Sequence, residues 1–167
     1  MTQQYTAGTL KRYAAPALLP ALAGCAPSTG GKITETVLST QESFSLSEVF
    51  EEPIAEAYVF CSYADEERGE ELGFDRKSFY SIDRDYMQWE TNTGIGIKFR
   101  DEEKKPIVEW FNPVKINSCA SPGDSYRKID PEGPITIEIK KVEFIRYGEK
   151  EVKHLFYRDA DGTEDTE

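Results

Sequence analysis

The sequence predicts an α+β domain, an antiparallel β-meander with one or two short helices in its N-terminal half. Three observations carry that expectation. Glu56-Ala57-Tyr58-Val59-Phe60-Cys61-Ser62-Tyr63 is rich in aromatic and β-branched residues, as suits a strand buried on both faces. Asp65 to Leu72 has the punctuation of a short helix. Beyond residue 87 the apolar residues recur with a period of two, the repeat of strands with one face in a core.

Taken in order, Asp65 is an N-cap candidate with Glu66 and Glu67 in the first turn, where the helix dipole favours acids, and Gly73 stands where a left-handed C-terminal residue belongs. Such a helix packs by Leu72. Met87 and Trp89 alternate, and then Ile95, Ile97 and Phe99 alternate with Gly94, Gly96, Lys98 and Arg100, which predicts one core face and one wet face. Asn92-Thr93-Gly94 and Asp101-Glu102-Glu103-Lys104-Lys105-Pro106 read as polar connections, giving two hairpins in series. Ile107 to Ile116 predicts a further strand, bulged or bent at Pro113 because proline cannot donate to a ladder, and ending just before Cys119. Ala120 to Gly133 reads as a loop. Ile135, Ile137 and Ile139 alternate with polar residues, and a parity slip at Lys140-Lys141 predicts a β-bulge before Val142 and Phe144. Tyr147-Gly148-Glu149-Lys150 turns the chain into a last strand, Val152 to Tyr157.

The N-terminus has another character. Lys11-Arg12 precedes an apolar stretch from Tyr13 to Ala23, too short to cross a bilayer, which closes in Leu22-Ala23-Gly24-Cys25. A core segment with Cys25 as an ordinary buried thiol would show a helical or strand period, and residues 13 to 24 show none. The four residues resemble the lipobox of bacterial lipoproteins. That resemblance implies residues 1–24 as a signal peptide, a thioether-linked diacylglycerol on Cys25, and a protein lipid-anchored to a bacterial membrane in the cell envelope, outside the cytoplasm. Residues 25–32, with Ala26-Pro27-Ser28-Thr29-Gly30-Gly31, then form a flexible tether, 33–158 a single domain, and 159–167 a disordered acidic tail. The segment from Ala57 to Phe74 is also similar to secreted bacterial proteins of unassigned activity, and this adds no site residue.

In the oxidising compartment so implied, the remaining pair, Cys61 and Cys119, favours a disulfide over two buried free thiols. The spacing is not the C-x-x-C of a redox-active pair. Charge narrows the partners. The chain has 20 Lys and Arg against 31 Asp and Glu, a net charge of -11, and loss of residues 1–24 removes two cations and no acid. Nucleic acid is therefore disfavoured, since phosphate surfaces are bound through Lys and Arg, whereas a basic protein or peptide is favoured. The same acidity also serves solubility alone.

No residue set points to catalysis, a metal or a cofactor. His154, the only histidine, lies in the last strand on the parity of Val152 and Phe156, without a nucleophile motif, and reads as a packed, satisfied histidine. Zinc would need more Cys or His ligands. Asp83-Arg84-Asp85 and Glu66-Glu67 read as solvated charge, Asp159-Ala160-Asp161-Gly162 lacks the rest of a calcium loop, and Gly94-Ile95-Gly96 lacks a third glycine. Trp89, Trp110, Phe111, Tyr126, Tyr147 and Tyr157 leave aromatics on both strand faces. Trp89, Trp110, Tyr126 and Tyr147 then form a protein-binding surface unless other elements cover that face. The functional expectation is a non-enzymatic, inhibitor- or immunity-like binding domain, with a carboxylate-based envelope hydrolase and a lipid- or ligand-carrying domain as alternatives. Cys25→Ala is expected to move the protein from the detergent to the aqueous phase and to leave the precursor uncleaved. Unchanged partitioning would sink the lipid anchor.

Overall fold

The computed structural model describes residues 31–79, 92–119 and 125–160. Helix α1 (Lys32–Ser39) leads into a two-residue strand, β1 (Ser43–Phe44), and the single-turn helix α2 (Leu46–Val49). Strand β2 (Ile54–Phe60), helix α3 (Glu66–Glu71) and a 3-10 turn at Arg76–Ser78 follow. The rest is strand: β3 (Thr93–Phe99), β4 (Ile107–Phe111), β5 (Ile116–Asn117), β6 (Tyr126–Ile129), β7 (Ile135–Phe144) and β8 (Gly148–Phe156). This is the expected α+β class, with the helices in the N-terminal half.

The strands form two sheets, one ordered β4-β3-β2-β6 and the other β1-β7-β8-β5. All pairings are antiparallel except β5 with β8. Ala57 and Val59 of β2, Ile95 and Ile97 of β3 and Ile129 of β6 share one buried cluster with Ile135 and Ile137 of β7, Ile116 of β5 and Leu155 of β8. Ile33 and Val37 of α1 and Leu46 of α2 complete it. Two further links join the sheets. Ser118 N–H donates to Thr93 Oγ1 at 3.0 Å, and Cys61, just past β2, is disulfide-bonded to Cys119, just past β5, with Cα atoms 5.6 Å apart.

The second face of β2 and β3 is not wet. Tyr58 and Phe60 project from it into another buried cluster with Ala64, Phe74 and Phe79, packed by Leu72, Trp110 and Tyr126. Gly94 and Gly96 are small because this layer lies against them: a Cβ on Gly96 would come within 2.6 Å of Phe60 and 2.7 Å of Phe74, and one on Gly94 within 2.8 Å of Trp110. Helix α3 supports the layer as its sequence directs. Asp65 caps it, accepting from Arg68 N–H at 2.7 Å, and Gly73 ends it at φ +87. Its contact is broader than Leu72, because Gly69 is buried directly against the Phe79 ring and leaves no room for a Cβ.

Other expectations are corrected. Residues 107–116 are not one strand: Asn112 accepts from Lys115 and Ile116 N–H at its carbonyl and from Val114 N–H at its side chain, and this turn moves the chain from one sheet to the other. The stretch assigned to a loop contains β6, which completes the other edge of β2. No bulge interrupts Lys140-Lys141, since the β7–β8 register runs unbroken from Thr136↔Phe156 to Phe144↔Gly148. Val142 and Phe144 instead occupy the face opposite to Ile135 and Ile137, where both are half-buried. Gly31 is the N-cap position of α1, which begins at Lys32, so residues 31 and 32 belong to the domain and not to the expected tether. At the other end Asp159 bridges to Ile129, extending the ordered domain past Arg158. Met87 and Trp89, the expected signal peptide with Cys25, and residues 161–167 of the expected tail lie outside the described residues.

The disulfide closes a chain separation of 58, for which the loop-entropy model gives about 4 kcal/mol. Changing both Cys61 and Cys119 to alanine should lower stability by up to that amount in denaturant titrations. A variant as stable as the parent would show that the buried interface alone fixes the sheets.

Candidate binding surface

The aromatic residues singled out in the sequence do not assemble into one surface. Trp89 is outside the described residues. Trp110 is partly buried in the layer over β2, with Nε1–H donating to the Ser78 carbonyl at 2.8 Å and its ring 5.4 Å from that of Phe79. Tyr126 sits at the rim of the same layer under the Arg68 guanidinium, 4.1 Å from the ring centroid, and accepts a hydrogen bond from it. Tyr147 belongs to the other sheet, in the turn between β7 and β8, and is 60% exposed.

Charged groups near the sheets have structural duties. Helix α1 has no cap of its own at Gly31; Glu109 of β4 supplies it, accepting from Ile33 N–H at 3.1 Å and from Thr34 N–H at 2.6 Å and its hydroxyl at 2.5 Å. At the other end Lys153 of β8 donates to the carbonyls of Val37, Leu38 and Thr40 at 2.7, 3.2 and 2.6 Å. Near the start of β2, Glu56 is held between Lys128 and Lys98, and Lys98 also donates to the Leu72 carbonyl at 3.0 Å. Hydrogen bonds from Lys128 and then Lys98 hold the Glu56 carboxyl down at about 2, against an ordinary value of 4.5.

His154 lies opposite Glu138 on the outer face of the β7–β8 sheet. Burial, and then the neighbouring Lys140, hold its pKa below the ordinary 6.5. It is not the satisfied histidine expected, because Nε2 is buried without a hydrogen-bond partner among the described residues. Among those residues no group of three or more His, Cys, Asp or Glu is placed to hold a metal ion, and no helix is long and apolar enough to cross a membrane.

What the sheets leave free is the outer part of β7–β8. β1 pairs only with Ile135 and Thr136, and β5 only with Lys153 and His154. Between those contacts and the turn, the two strands pair with each other and with no other strand among the described residues. This ribbon, hereafter the arm, turns through Ile145-Arg146-Tyr147 and closes on Gly148 at φ +65, a conformation that favours glycine. Ile145 is fully exposed, Ile139 52% exposed and Tyr147 60% exposed. Sequence reasoning missed both isoleucines. Ile139 continues the alternation of Ile135 and Ile137, and only the length of the sheet that covers them reveals that it falls outside the core.

No known family model matches the chain, and no curated protein or solved structure is significantly similar to it.

The depressed Glu56 value fixes a direction in pH. A carboxylate whose folded pKa lies below its unfolded one stabilises the fold fully above the unfolded value, and that contribution is lost as the pH falls towards the folded one. The parent should therefore lose stability between pH 4.5 and about 2 in part through Glu56. Glu56→Gln should show a shallower decline over that window in acid-unfolding curves, and superimposable slopes would remove the assignment.

Proposed function

We propose that the chain is a lipid-anchored protein of the bacterial cell envelope, tethered through Cys25, that binds a protein partner through the arm and catalyses no reaction on it. One observation carries the reading: a two-stranded ribbon extends past its flanking strands and holds Ile139, Ile145 and Tyr147 in solvent. Isolated exposed apolar residues are ordinary, but three on one protruding hairpin form a contact element, and rings and branched aliphatics bury area at low cost in side-chain entropy. The Leu22-Ala23-Gly24-Cys25 resemblance supports the location. A basic partner suits the remainder of the molecule, where Glu35, Glu42, Glu48, Glu51 and Glu52 are accompanied only by Lys32 in the first described stretch up to Pro53. Such an excess steers cationic partners at low salt.

A photo-crosslinking residue in place of Tyr147, in the intact envelope, should yield an adduct with a second protein, while one in place of the covered Trp110 should not. His154→Ala should leave the Tyr147 adduct unchanged. Failure of Tyr147 to crosslink in its native envelope, or turnover of an envelope substrate that depends on His154, would overturn the reading.

A further inference from the structure

We propose that the edge of β7 left unpaired among the described residues pairs antiparallel with the same edge of a second copy of this chain, about a two-fold axis through Val142. The proposal rests on the reading of the arm as a binding element and names one occupant for one of its edges. Along that edge β1 stops at Ile135 and Thr136, and Ile137 N–H is taken by the Glu42 carbonyl at 2.8 Å. From Glu138 to Phe144 no strand flanks β7 on that side among the described residues. A row of free N–H and C=O groups of that length is a template for another strand.

Charge selects the second copy and the register. With a net charge of -11, two copies repel over most of their surfaces. The arm is the exception, because Glu138, Glu143, Glu149 and Glu151 are matched there by Lys140, Lys141, Arg146 and Lys150. When a sheet continues through a two-fold axis normal to it, the axis passes through a residue position, and opposed residues share a face. Centring on Lys140 or Lys141 sets a lysine against itself, and centring on Glu143 does the same for an acid. Centring on Ile139 drives the partner strand into β1. Centring on Val142 sets Lys141 opposite Glu143 twice, Val142 opposite Val142, and Ile139 beside Ile145 of the other copy. It thereby covers two of the arm's three exposed apolar residues.

Glu143 gives an independent reason. Within the hairpin it stands directly opposite another acid, Glu149, and Lys141 already pairs with Glu149 at 3.1 Å. No cation pairs with Glu143 among the described residues; in the proposed dimer the second copy's Lys141 does so. Opposed unlike charges on a sheet are stabilising and like charges destabilising.

The test uses the full chain carrying Cys25→Ala, so that association is measured free of membrane, by sedimentation equilibrium from micromolar to millimolar concentration. The parent should show a reversible monomer–dimer equilibrium. Lys141→Glu and Glu143→Lys, each confirmed folded by circular dichroism, should each weaken the dimer by roughly tenfold or more, since two attractive pairs become two repulsive ones. An equimolar mixture of the two single variants should associate as a heterodimer with the parent's affinity, because every pair is again unlike. The double variant should self-associate likewise. A parent that stays monomeric to millimolar concentration, single variants as dimeric as the parent, or a mixture that does not recover association would each overturn the proposal. A Tyr147 crosslink to a different protein that persists in Lys141→Glu would show that the binding reading stands where the dimer does not.

Discussion

Strand β2 is buried on both faces, and the architecture follows from the need to cover it twice. Its odd-numbered Ala57 and Val59 require the β1-β7-β8-β5 sheet and α1, whereas Tyr58 and Phe60 require α3 and the turn after it. Each large apolar side chain so buried contributes about 1.5–3 kcal/mol. Phe60 shows how closely the outer layer is assembled: its ring lies 5.3, 5.1 and 5.9 Å from those of Phe74, Phe79 and Trp110, the first two edge-to-face. The backbone is equally committed, with β3 on one edge and β6 on the other. A strand in that position cannot shift by one residue without exchanging its two side-chain sets between unlike environments. Cys61, its immediate continuation, then ties the strand to the opposite sheet.

Helix α1 extends this coupling. At eight residues it is too short to persist alone, so packing and the two charged groups at its ends must hold it. Glu109 comes from one sheet and Lys153 from the other, each with the sign that the helix dipole favours at its end. Lys153 lies opposite Ile139 in the β7–β8 register, at the root of the arm. A side chain at Gly31 would displace the Glu109 carboxylate from beside it. The chain that enters from the N-terminal side is thus fastened to both sheets within a few residues, and the helix it enters also fixes the base of the ribbon that protrudes.

The legibility of these features in the sequence depended on whether their causes were local. The boundaries of α3 were readable because Asp65, Glu66, Glu67 and Gly73 act on the helix that contains or adjoins them. The double burial of β2 was readable from its unbroken run of large residues, and the cysteine pair from parity and compartment. What failed depended on distant partners. Tyr126-Arg127-Lys128-Ile129 shows no strong alternation, and becomes a strand because β2 has a free edge beside it. Gly94 and Gly96 look like exposed positions until Phe74 and Trp110, from other elements, occupy the space above them. The slip at Lys140-Lys141 resembles a bulge only if one face is assumed to hold every apolar residue; the ladder is regular, and Val142 and Phe144 lie on its other face. Of the residues exposed on the arm, Tyr147 was singled out and Ile139 was not, since the exposure of Ile139 is set by the short reach of β1.

The chemistry of the arm limits what its exposed strand edges can accept. A flat, apolar ribbon with unpaired edges would accept many partners, and proteins commonly blunt such edges with lysine and alternating charge. Here Lys140, Lys141 and Lys150 interrupt the apolar positions, while Glu138 pairs with Lys140 at 3.2 Å and Glu149 with Lys141. Exposed pairs of this kind contribute little to stability, so exchanging them for partners on another chain costs little. A strand with the wrong charge sequence, however, meets like charges at short range. The arm therefore combines general backbone affinity with a side-chain pattern that penalises most occupants, and specificity of this kind arises as much from the pairs it forbids as from those it makes.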